Sequence, residues 1–278
     1  MSNKRGEFHI HSTNSDGVLS IIEILDYLKG KIEYISITDH DIVDTSVEAA
    51  RLAPKYGLKS IIGVEVSSYH NDESIHILGY FKDNQNIETK LKPLSNRLNE
   101  IRINRLNRMY LMKEKLFKYF NIDLNVENLL KKNTITRGSI AREIISQGYN
   151  YTMEELFEKV IGHNCVAYVP ATKITSQEAI DLIHRCGGMA VLAHPTLILK
   201  SEIEEFISMG IDGIEAIYPL NKDGEEETYK KIAKENNLFI TAGNDFHSFN
   251  DPSHGDLLQV SLTGEDLLKF IRVIDSLK

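Results

Sequence analysis

Residues 8–12, Phe8-His9-Ile10-His11-Ser12, place two histidines two positions apart within a short apolar stretch. Such a stretch is typical of a β-strand, and residues two apart on a strand point to the same face. Both imidazoles can therefore reach one metal ion. Asp16 follows in Ser15-Asp16-Gly17, a sequence that indicates a turn where the strand opens into a loop.

Short apolar segments alternate with helical patterns in the first third of the chain and again in the last third. Strands are predicted at 8–11, 34–38, 61–66, 75–80, 190–193, 213–216 and 238–241. Helices are predicted between them at 21–28, 47–56, 179–186, 203–209 and 226–235. This alternation indicates βαβ units and a parallel sheet, and therefore an α/β fold.

The strand pattern disappears between about residues 85 and 170. Apolar residues recur at helical spacing from Leu94 to Leu116, which predicts one long helix, and shorter helices are predicted at 126–130, 139–146 and 153–161. We therefore predict a discontinuous α/β domain, residues 1–84 and 171–278, and a helical insertion, residues 85–170, that caps the active site.

Composition and charge limit the classes of protein that fit. In 278 residues, no run of about 18 apolar residues occurs, so no membrane span is predicted, and the polar N-terminus argues against a signal peptide. The cysteines, Cys165 and Cys186, fit no disulfide framework, which favours a cytoplasmic location. The net charge of −8 disfavours a broad surface for long nucleic acid, but it permits a small anionic substrate held by bound cations. No feature indicates an obligate protein partner.

Six predicted strands or strand ends carry a His, Asp or Glu residue, a pattern that packing alone explains poorly. Glu65, for example, is flanked by Val64 and Val66 in a predicted buried strand and needs a compensating cation or partner. A single such residue can have a purely structural role, as Asp41 would if it capped a helix, but together they predict a multinuclear metal site at the ends of the strands. The other histidines, predicted to lie on the surface or in loops, are His70, His163, His184 and His254.

Two arginines lie on the apolar face of the long predicted helix. At about 100° per residue, Arg102 and Arg105 fall inside the stripe that contains Leu98 and Met109. Buried arginines are costly unless they are paired with anions. Two roles stay open for them: structural salt bridges or side chains that extend past the stripe, and a clamp that binds phosphate through bidentate contacts.

The motifs around these residues resemble those of the polymerase-and-histidinol-phosphatase (PHP) superfamily over nearly the full chain. They are residues 8–12, Thr38-Asp39-His40-Asp41, Gly63-Val64-Glu65-Val66, His76-Ile77-Leu78-Gly79-Tyr80, Ala193-His194-Pro195 and Asp245-Phe246-His247. The resemblance implies an α/β fold of the distorted (βα)7 barrel type with a helical insertion.

The resemblance also implies three metal positions. The first would be held by His9, His11, Glu65 and Asp245; the second by Glu65, His76 and His194; and the third by Asp16, His40 and His247. These positions would hold about two to three divalent ions. Because the ligands are imidazoles and carboxylates without thiolate, Mn²⁺, Fe²⁺ or Zn²⁺ is expected.

Within the superfamily, the chain is most similar to the 3′,5′-nucleoside bisphosphate phosphatases and the short-RNA 5′ exonucleases. Arginines of the insertion contact phosphate in that subgroup. The residues expected to bind substrate are therefore Arg102, Arg105, Arg137, Asp16 and His247. One departure is Arg137-Gly138-Ser139-Ile140-Ala141, since the relatives usually have Arg-Pro-His-Ile-Ala there.

The expected function is hydrolysis of a phosphate monoester of a small nucleotide, such as adenosine 3′,5′-bisphosphate, by a hydroxide that bridges two metals. Glu65, Asp245 and His247 are the expected catalytic residues, while Asp39 and Asp41 are expected to orient imidazoles. Three alternatives stay open: a histidinol-phosphate phosphatase, a 5′–3′ exonuclease acting on short single-stranded RNA ends, and a metal-stabilised binding module without catalysis.

Overall fold

The structure, a computed structural model, describes residues 4–132, 135–170 and 174–277. Its strands are β1 (Arg5–Ile10), β2 (Tyr34–Ile37), β3 (Lys59–Ser60), β4 (Ile62–His70), β5 (Glu73–Phe81), β6 (Ile174–Thr175), β7 (Met189–Leu192), β8 (Gly213–Ile217), β9 (Phe239–Ala242) and β10 (Leu262–Thr263). Its α-helices are α1 (Ile21–Leu28), α2 (Asp44–Leu52), α3 (Ile87–Phe120), α4 (Arg137–Ser146), α5 (Met153–Glu155), α6 (Ser176–Arg185), α7 (Ile203–Met209), α8 (Glu225–Glu235) and α9 (Gly264–Ser276). A π-helical turn, Leu156–Val160, continues α5.

The strands form two sheets, with the orders β10-β1-β2-β3 and β6-β4-β5-β7-β8-β9. Isolated parallel bridges from Ile10 to Phe246 and from His40 to Glu65 connect the two sheets. Eight of the described strands therefore run in the same direction and direct their carboxyl ends to one side: β1, β2, β3, β4, β6, β7, β8 and β9. The predicted α/β fold is confirmed, in a barrel-like arrangement that the described strands do not close completely.

Strand β5 runs antiparallel to both of its neighbours, β4 and β7, where the sequence pattern predicted a parallel sheet. The reason is the connection between β4 and β5, which consists of Asn71 and Asp72 alone. These residues have positive φ angles of 45° and 57°, as in the two-residue turns that join hairpin strands. A parallel neighbour would need a much longer crossover connection.

Apolar side chains pack in separate clusters, one of which lies among the helices between β5 and β6. The main cluster joins the sheets to the first half of α3 and includes Val64, Leu94 and Ile183. The second half of α3 contributes Met109 and Leu116 to a different cluster, together with residues of α4 and the π-helical turn. None of the described residues between β5 and β6 forms a strand. The predicted boundaries of a helical insertion, residues 85–170, stay a prediction.

Strand β10 and helix α9 at the carboxyl-terminal end were not predicted from the sequence. Leu267, Phe270 and Ile274 of α9 recur at helical spacing and are buried. The Phe270 ring packs edge-on against Phe8 of β1, with 4.7 Å between the ring centroids. Helix α9 therefore covers the sheet beneath the strand that carries the first histidine pair.

Helix α3 is the longest helix, with 34 residues, and it is amphipathic. It buries Leu91, Leu94 and Leu98 on one face and exposes charged side chains on the other. Within the described residues, no helix is long and apolar enough to cross a membrane.

Asp212, in the loop before β8, connects helix α6 to strand β7. Its Oδ2 accepts hydrogen bonds from the backbone N–H of Ala190 at 2.8 Å and from Nε2 of His184 at 2.7 Å. The hydrogen bond with Asp212 raises the pKa of His184 above its ordinary value, against an opposing effect of burial. The protonated form of His184 therefore stabilises the folded chain.

We expect this contact to make stability depend on pH. Because the folded-state pKa of His184 lies above the unfolded value of about 6.5, its contribution is complete below about pH 6.5 and is lost as the pH rises through the raised pKa. His184→Gln keeps a neutral donor to Asp212. The melting temperatures of wild type and variant, measured in chelator, should differ more at about pH 6 than at about pH 9. An equal difference at both pH values would contradict the assignment.

Candidate metal centre

The structure brings together all nine residues that the sequence indicated as metal ligands. Most of them lie at or next to the carboxyl ends of parallel strands, whereas Glu65 lies within β4, His76 lies within the antiparallel strand β5, and Asp16 lies in the loop after β1. Their donor atoms form overlapping groups able to hold a metal ion. These groups are His9, His11, Glu65 and Asp245; His11, Asp16, His40 and His247; and His40, Glu65 and His76. His194 joins them through Nε2, 3.2 Å from Oε1 of Glu65.

Glu65 of β4 lies at the centre of the cluster and is fully buried. Five imidazoles surround its carboxylate. The nitrogen–oxygen distances are 3.4 Å for His9, 3.1 Å for His11, 2.8 Å for His40, 2.7 Å for His76 and 3.2 Å for His194. Oε1 faces the imidazoles of His9, His76 and His194, and Oε2 faces those of His11 and His40. Both oxygens of the carboxylate are thus available as ligands, each beside a different set of imidazoles.

Asp245 and Asp16 are two further carboxylates of the cluster. Oδ1 of Asp245 lies 3.2 Å from Nε2 of His9 and 3.0 Å from Nε2 of His11. Oδ1 of Asp16 lies 3.1 Å from Nε2 of His247. Each carboxylate therefore directs one oxygen toward imidazole nitrogens.

Several donor atoms of the cluster are buried and lack a hydrogen-bond partner. They include Nε2 of His9, Nε2 of His11, Oδ1 of Asp16, Nδ1 of His40, Oε2 of Glu65, Nδ1 of His76 and Oδ1 of Asp245. Buried polar atoms without partners are costly, whereas a shared divalent cation would satisfy several of them at once. The residues present therefore fit divalent cations, and the imidazole and carboxylate donors suit Mn²⁺, Fe²⁺ or Zn²⁺.

Burial and mutual contacts set the protonation states of the cluster. Burial raises the pKa of Glu65, but the imidazoles of His40 and His76 outweigh this effect and hold the pKa well below its usual range. Burial lowers the pKa of His76 to about 4 and that of His247 to about 4. Glu65, His76 and His247 therefore have the ionised and neutral forms that cations bind. The neighbouring carboxylates raise the pKa of His9, His11 and His194, so a cation has to displace a proton from these three rings.

Glu215 of β8 is a residue of the site that sequence reasoning missed. Its buried carboxylate lies 3.0 Å from Nδ1 of His9 and accepts a 2.8 Å hydrogen bond from the backbone N–H of His194. It therefore fixes the His9 ring with Nε2 directed toward Glu65 and Asp245. The signal that could have found it is the one used for Glu65, an acidic residue inside a predicted buried strand.

Asp39 and Asp41 do not orient imidazoles directly, contrary to the expectation. Asp39 accepts hydrogen bonds from the backbone N–H of Ser12 at 2.7 Å and from Oγ of Ser15 at 2.6 Å, which holds the loop after β1. Asp41 accepts one from the backbone N–H of Ser67 at 2.8 Å and pairs with Arg105. These carboxylates support the loops that carry ligands, because their hydrogen bonds and ion pairs go to the backbone, to serine hydroxyls and to Arg105.

His254 lies at the cluster although the sequence pattern placed it among the loop histidines. Its Nε2 lies 3.8 Å from Oδ2 of Asp245, and its Nδ1 lies 3.2 Å from Oδ2 of Asp251. Its ring packs 4.0 Å from that of His247. The pattern failed here because His254 lies in an irregular loop with no strand period. The other three histidines contact Glu205 (His70), Asn164 (His163) and Asp212 (His184), outside the cluster.

A cavity of about 910 Å³ opens over the cluster. Asp16, His40, His76 and His247 line it on the side of the strands. The helical residues between β5 and β6 contribute Arg105, Arg108, Arg137, Arg142, Phe157 and Tyr168, and the loop after β9 contributes residues 248 and 250–254. Arg102 is not among the lining residues, and it donates a 3.2 Å hydrogen bond to Asn99 on its own helix.

The arginines that line the cavity differ in their partners. Arg105 forms a buried ion pair with Asp41 and donates a 2.8 Å hydrogen bond to Oγ of Ser67, so its contacts favour a structural role. Arg108, which was not singled out from the sequence, donates to the carbonyl of Val169 at 2.8 Å. The guanidinium of Arg137 lies 5.6 Å from the ring centroids of both Phe157 and Tyr168. Among the described residues, no carboxylate lies within ion-pair distance of Arg108 or Arg137.

Comparison with known proteins identifies the relatives of this chain. The profile of the PHP domain matches residues 7–186. The 5′-3′ exoribonuclease Rnm of Salmonella typhimurium is 30% identical over 87% of this chain and 84% of its own length. The 3′,5′-nucleoside bisphosphate phosphatase of Chromobacterium violaceum is 27% identical over 87% of each chain. A crystallised protein of Bifidobacterium adolescentis, assigned as a metal-dependent phosphoesterase, superposes with a TM-score of 0.83 at 26% identity and covers 99% of this chain and 97% of its own.

We expect Arg105→Ala to destabilise the fold, because it leaves the buried carboxylate of Asp41 without its cation. Breaking one half of a buried pair costs roughly 3–5 kcal/mol of unfolding free energy. The double variant Arg105→Met/Asp41→Asn, which removes both charges, should recover most of that loss. Denaturant unfolding of the single and double variants measures the difference. If Arg105→Ala instead kept its stability and lost about 2–4 kcal/mol in kcat/KM, Arg105 would belong to the substrate contacts.

Proposed function

This chain belongs to the PHP domain family, and on that basis we propose that it is a metal-dependent phosphoesterase acting on a small phosphorylated nucleotide such as adenosine 3′,5′-bisphosphate. The observation that carries the proposal is the division of one cavity into two regions. One region presents the His, Asp and Glu cluster, and the other presents Arg108 and Arg137 without carboxylate partners among the described residues. A substrate with two phosphates is complementary to both regions.

Arg108 is the clearest sign of an anionic ligand. It is 7% exposed, and burial together with the neighbouring charges of Arg105 and Arg137 lowers its pKa to about 10. Clustered, buried arginines repel one another unless an anion compensates them. A guanidinium matches phosphate oxygens through two parallel hydrogen bonds, which supports a phosphate as that anion.

The chemistry requires divalent cations, which, when bound, lower the pKa of coordinated water and stabilise negative charge on the phosphoryl oxygens. We assign their binding to the nine clustered residues, with Glu65 as the bridge. The chain itself then positions the substrate. Arg108 and Arg137 hold the phosphate that does not react, and this remote binding orients the scissile phosphate over the cluster. The rings of Phe157 and Tyr168 lie beside the guanidinium of Arg137 and restrict its position.

A second candidate function is 5′–3′ cleavage of short single-stranded RNA. The cavity volume of about 910 Å³ lies near the upper end of the range of roughly 300–1,000 Å³ for small-molecule pockets. There is therefore room for more than one nucleotide. One of the most similar relatives is named as an exoribonuclease, which supports the inclusion of RNA among the substrates to be tested. Histidinol phosphate fits less well, because it has one phosphate and carries an ammonium group that the arginines would repel.

We expect protein purified without chelator to contain about two to three equivalents of Mn²⁺, Fe²⁺ or Zn²⁺ by elemental analysis. Glu65→Gln should lower the metal content most among single substitutions, since the bridging carboxylate contributes charge to two ions. Glu88→Gln, at an exposed position of α3, is the matched control. The proposal fails if wild type holds less than about half an equivalent and regains none when these metals are added.

We expect adenosine 3′,5′-bisphosphate to be hydrolysed at least about tenfold more efficiently than AMP, a difference of about 1.4 kcal/mol. Adenosine 3′-monophosphate is a sharper comparison, because it keeps the 3′-phosphate of the bisphosphate and lacks the 5′-phosphate. Arg108→Ala should lower kcat/KM for the bisphosphate by about 2–4 kcal/mol and affect the 3′-monophosphate much less. The substrate panel also contains histidinol phosphate, an aryl phosphate and a short 5′-phosphorylated RNA.

Arg97→Ala provides the control for the Arg108 variant, because Arg97 lies on the same helix but pairs with Glu100 and Glu178. Its kinetics should match those of wild type. If AMP or histidinol phosphate proves the best substrate, the bisphosphate assignment is wrong while the phosphoesterase assignment stands. If the RNA proves best, the second candidate function replaces the first.

A further inference from the structure

The loop that carries Asp16 is held by residues from the helical part of the chain. Nζ of Lys132 donates a 3.2 Å hydrogen bond to the carbonyl of Ser15. A guanidinium nitrogen of Arg142 donates a 2.7 Å hydrogen bond to the carbonyl of Asp16. The hydroxyl of Thr136 donates a 2.8 Å hydrogen bond to Oδ2 of Asp16. One side chain of the cation cluster thus depends on contacts from residues 132–142, more than 110 positions away in the sequence.

The hydroxyl of Thr136 is oriented by helix α4. Thr136 is the N-cap of that helix, and its Oγ1 accepts a 3.0 Å hydrogen bond from the backbone N–H of Ser139. Oγ of Ser139 in turn accepts a 2.9 Å hydrogen bond from the backbone N–H of Thr136. Because the helix N–H occupies a lone pair of the hydroxyl, the single O–H of Thr136 is free to point at Asp16.

The two oxygens of Asp16 therefore face different parts of the molecule. Oδ2 accepts from Thr136, whereas Oδ1 is buried, has no hydrogen-bond partner and lies 3.1 Å from Nε2 of His247. Asp16 as a whole is 6% exposed and Thr136 is 8% exposed, so little water reaches this contact. Without the Thr136 donor, Oδ2 would keep only the longer contact with Nε2 of His40, at 3.9 Å, among the hydrogen bonds and ion pairs of the described residues.

We propose that Thr136 is a positioning residue that fixes the carboxylate of Asp16 for cation binding, so that helix α4 controls one cation position of the centre. The inference rests on the proposed function, since it assumes that the cluster binds cations. Hydrogen bonds from such supporting residues typically change metal affinity by about 10–100-fold. The cap sequence Thr136-Arg137-Gly138-Ser139 thus serves both regions of the cavity, because Arg137 follows Thr136 directly.

The experiment is a Mn²⁺ titration of chelator-stripped protein, with free Mn²⁺ measured by electron paramagnetic resonance. Four proteins are compared: wild type, Thr136→Val, Thr136→Ser and Thr152→Val. Valine removes the hydroxyl at nearly constant shape, and serine restores it. Thr152 is a matched control, because it caps α5 through a 3.1 Å hydrogen bond from Glu155 and Asp16 is not among its hydrogen-bond partners.

We expect Thr136→Val to weaken the affinity for one equivalent of Mn²⁺ by about 10–100-fold and to leave the affinity for the others unchanged. Thr136→Ser and Thr152→Val should bind as wild type does. Wild-type affinity of Thr136→Val for every equivalent would overturn the inference. So would an equal loss over all equivalents accompanied by a lower melting temperature of the stripped protein, since that result describes a purely structural cap. If wild type itself binds none of Mn²⁺, Fe²⁺ and Zn²⁺, the proposed function and this inference fall together.

Discussion

A carboxylate buried among imidazoles is the interaction on which the rest of this structure depends. Glu65 is fully buried in β4, and five imidazoles lie within 3.4 Å of its oxygens. A charge in such a place is very costly unless opposite charge reaches it from several directions. The parallel strands meet this requirement, because β1, β2, β7 and β9 lead into the same side of the molecule and bring their histidines and carboxylates to Glu65, while Glu215 of β8 holds the His9 ring. The barrel-like arrangement therefore meets this requirement at the same time as it buries the apolar clusters.

The sequence predicted most of the site residues that lie on strands or at strand ends. It predicted few of those that loops and helices contribute to the cavity. His9, His11, Glu65 and Asp245 were found because a polar residue within or directly after an apolar strand stands out against its neighbours. The same signal was present at Glu215 and was overlooked. His254 gave no signal, since it lies in an irregular loop where no periodicity marks which side chains turn inward. The reversed direction of β5 could have been read from the two residues that separate it from β4.

Helix periodicity located the arginines only in part. It placed Arg102 and Arg105 on the apolar stripe of α3, whereas the structure buries Arg105 and Arg108 and turns Arg102 toward Asn99. Periodicity predicts which face of the helix a side chain lies on, but it does not predict which residue that side chain contacts. Arg105 meets Asp41, and Arg108 meets a carbonyl and open cavity. The difference between a structural cation and a ligand-binding one thus depends on residues far away in the sequence, which periodicity cannot report.

The tight turn between β4 and β5 has a consequence for how this chain tolerates insertions and deletions. His76 pairs with Ser67 across the hairpin and lies on the same face as Glu65, two residues along the facing strand. A shift of one residue in this register would turn every β5 side chain to the opposite face and take His76 out of the cluster. Asn71 and Asp72 lie at the far end of the hairpin, yet their number decides whether His76 reaches Glu65. Insertions and deletions that most surface loops accept are therefore excluded at this turn. Its length fixes the register of β4 and β5, and with it the position of His76 in the cluster.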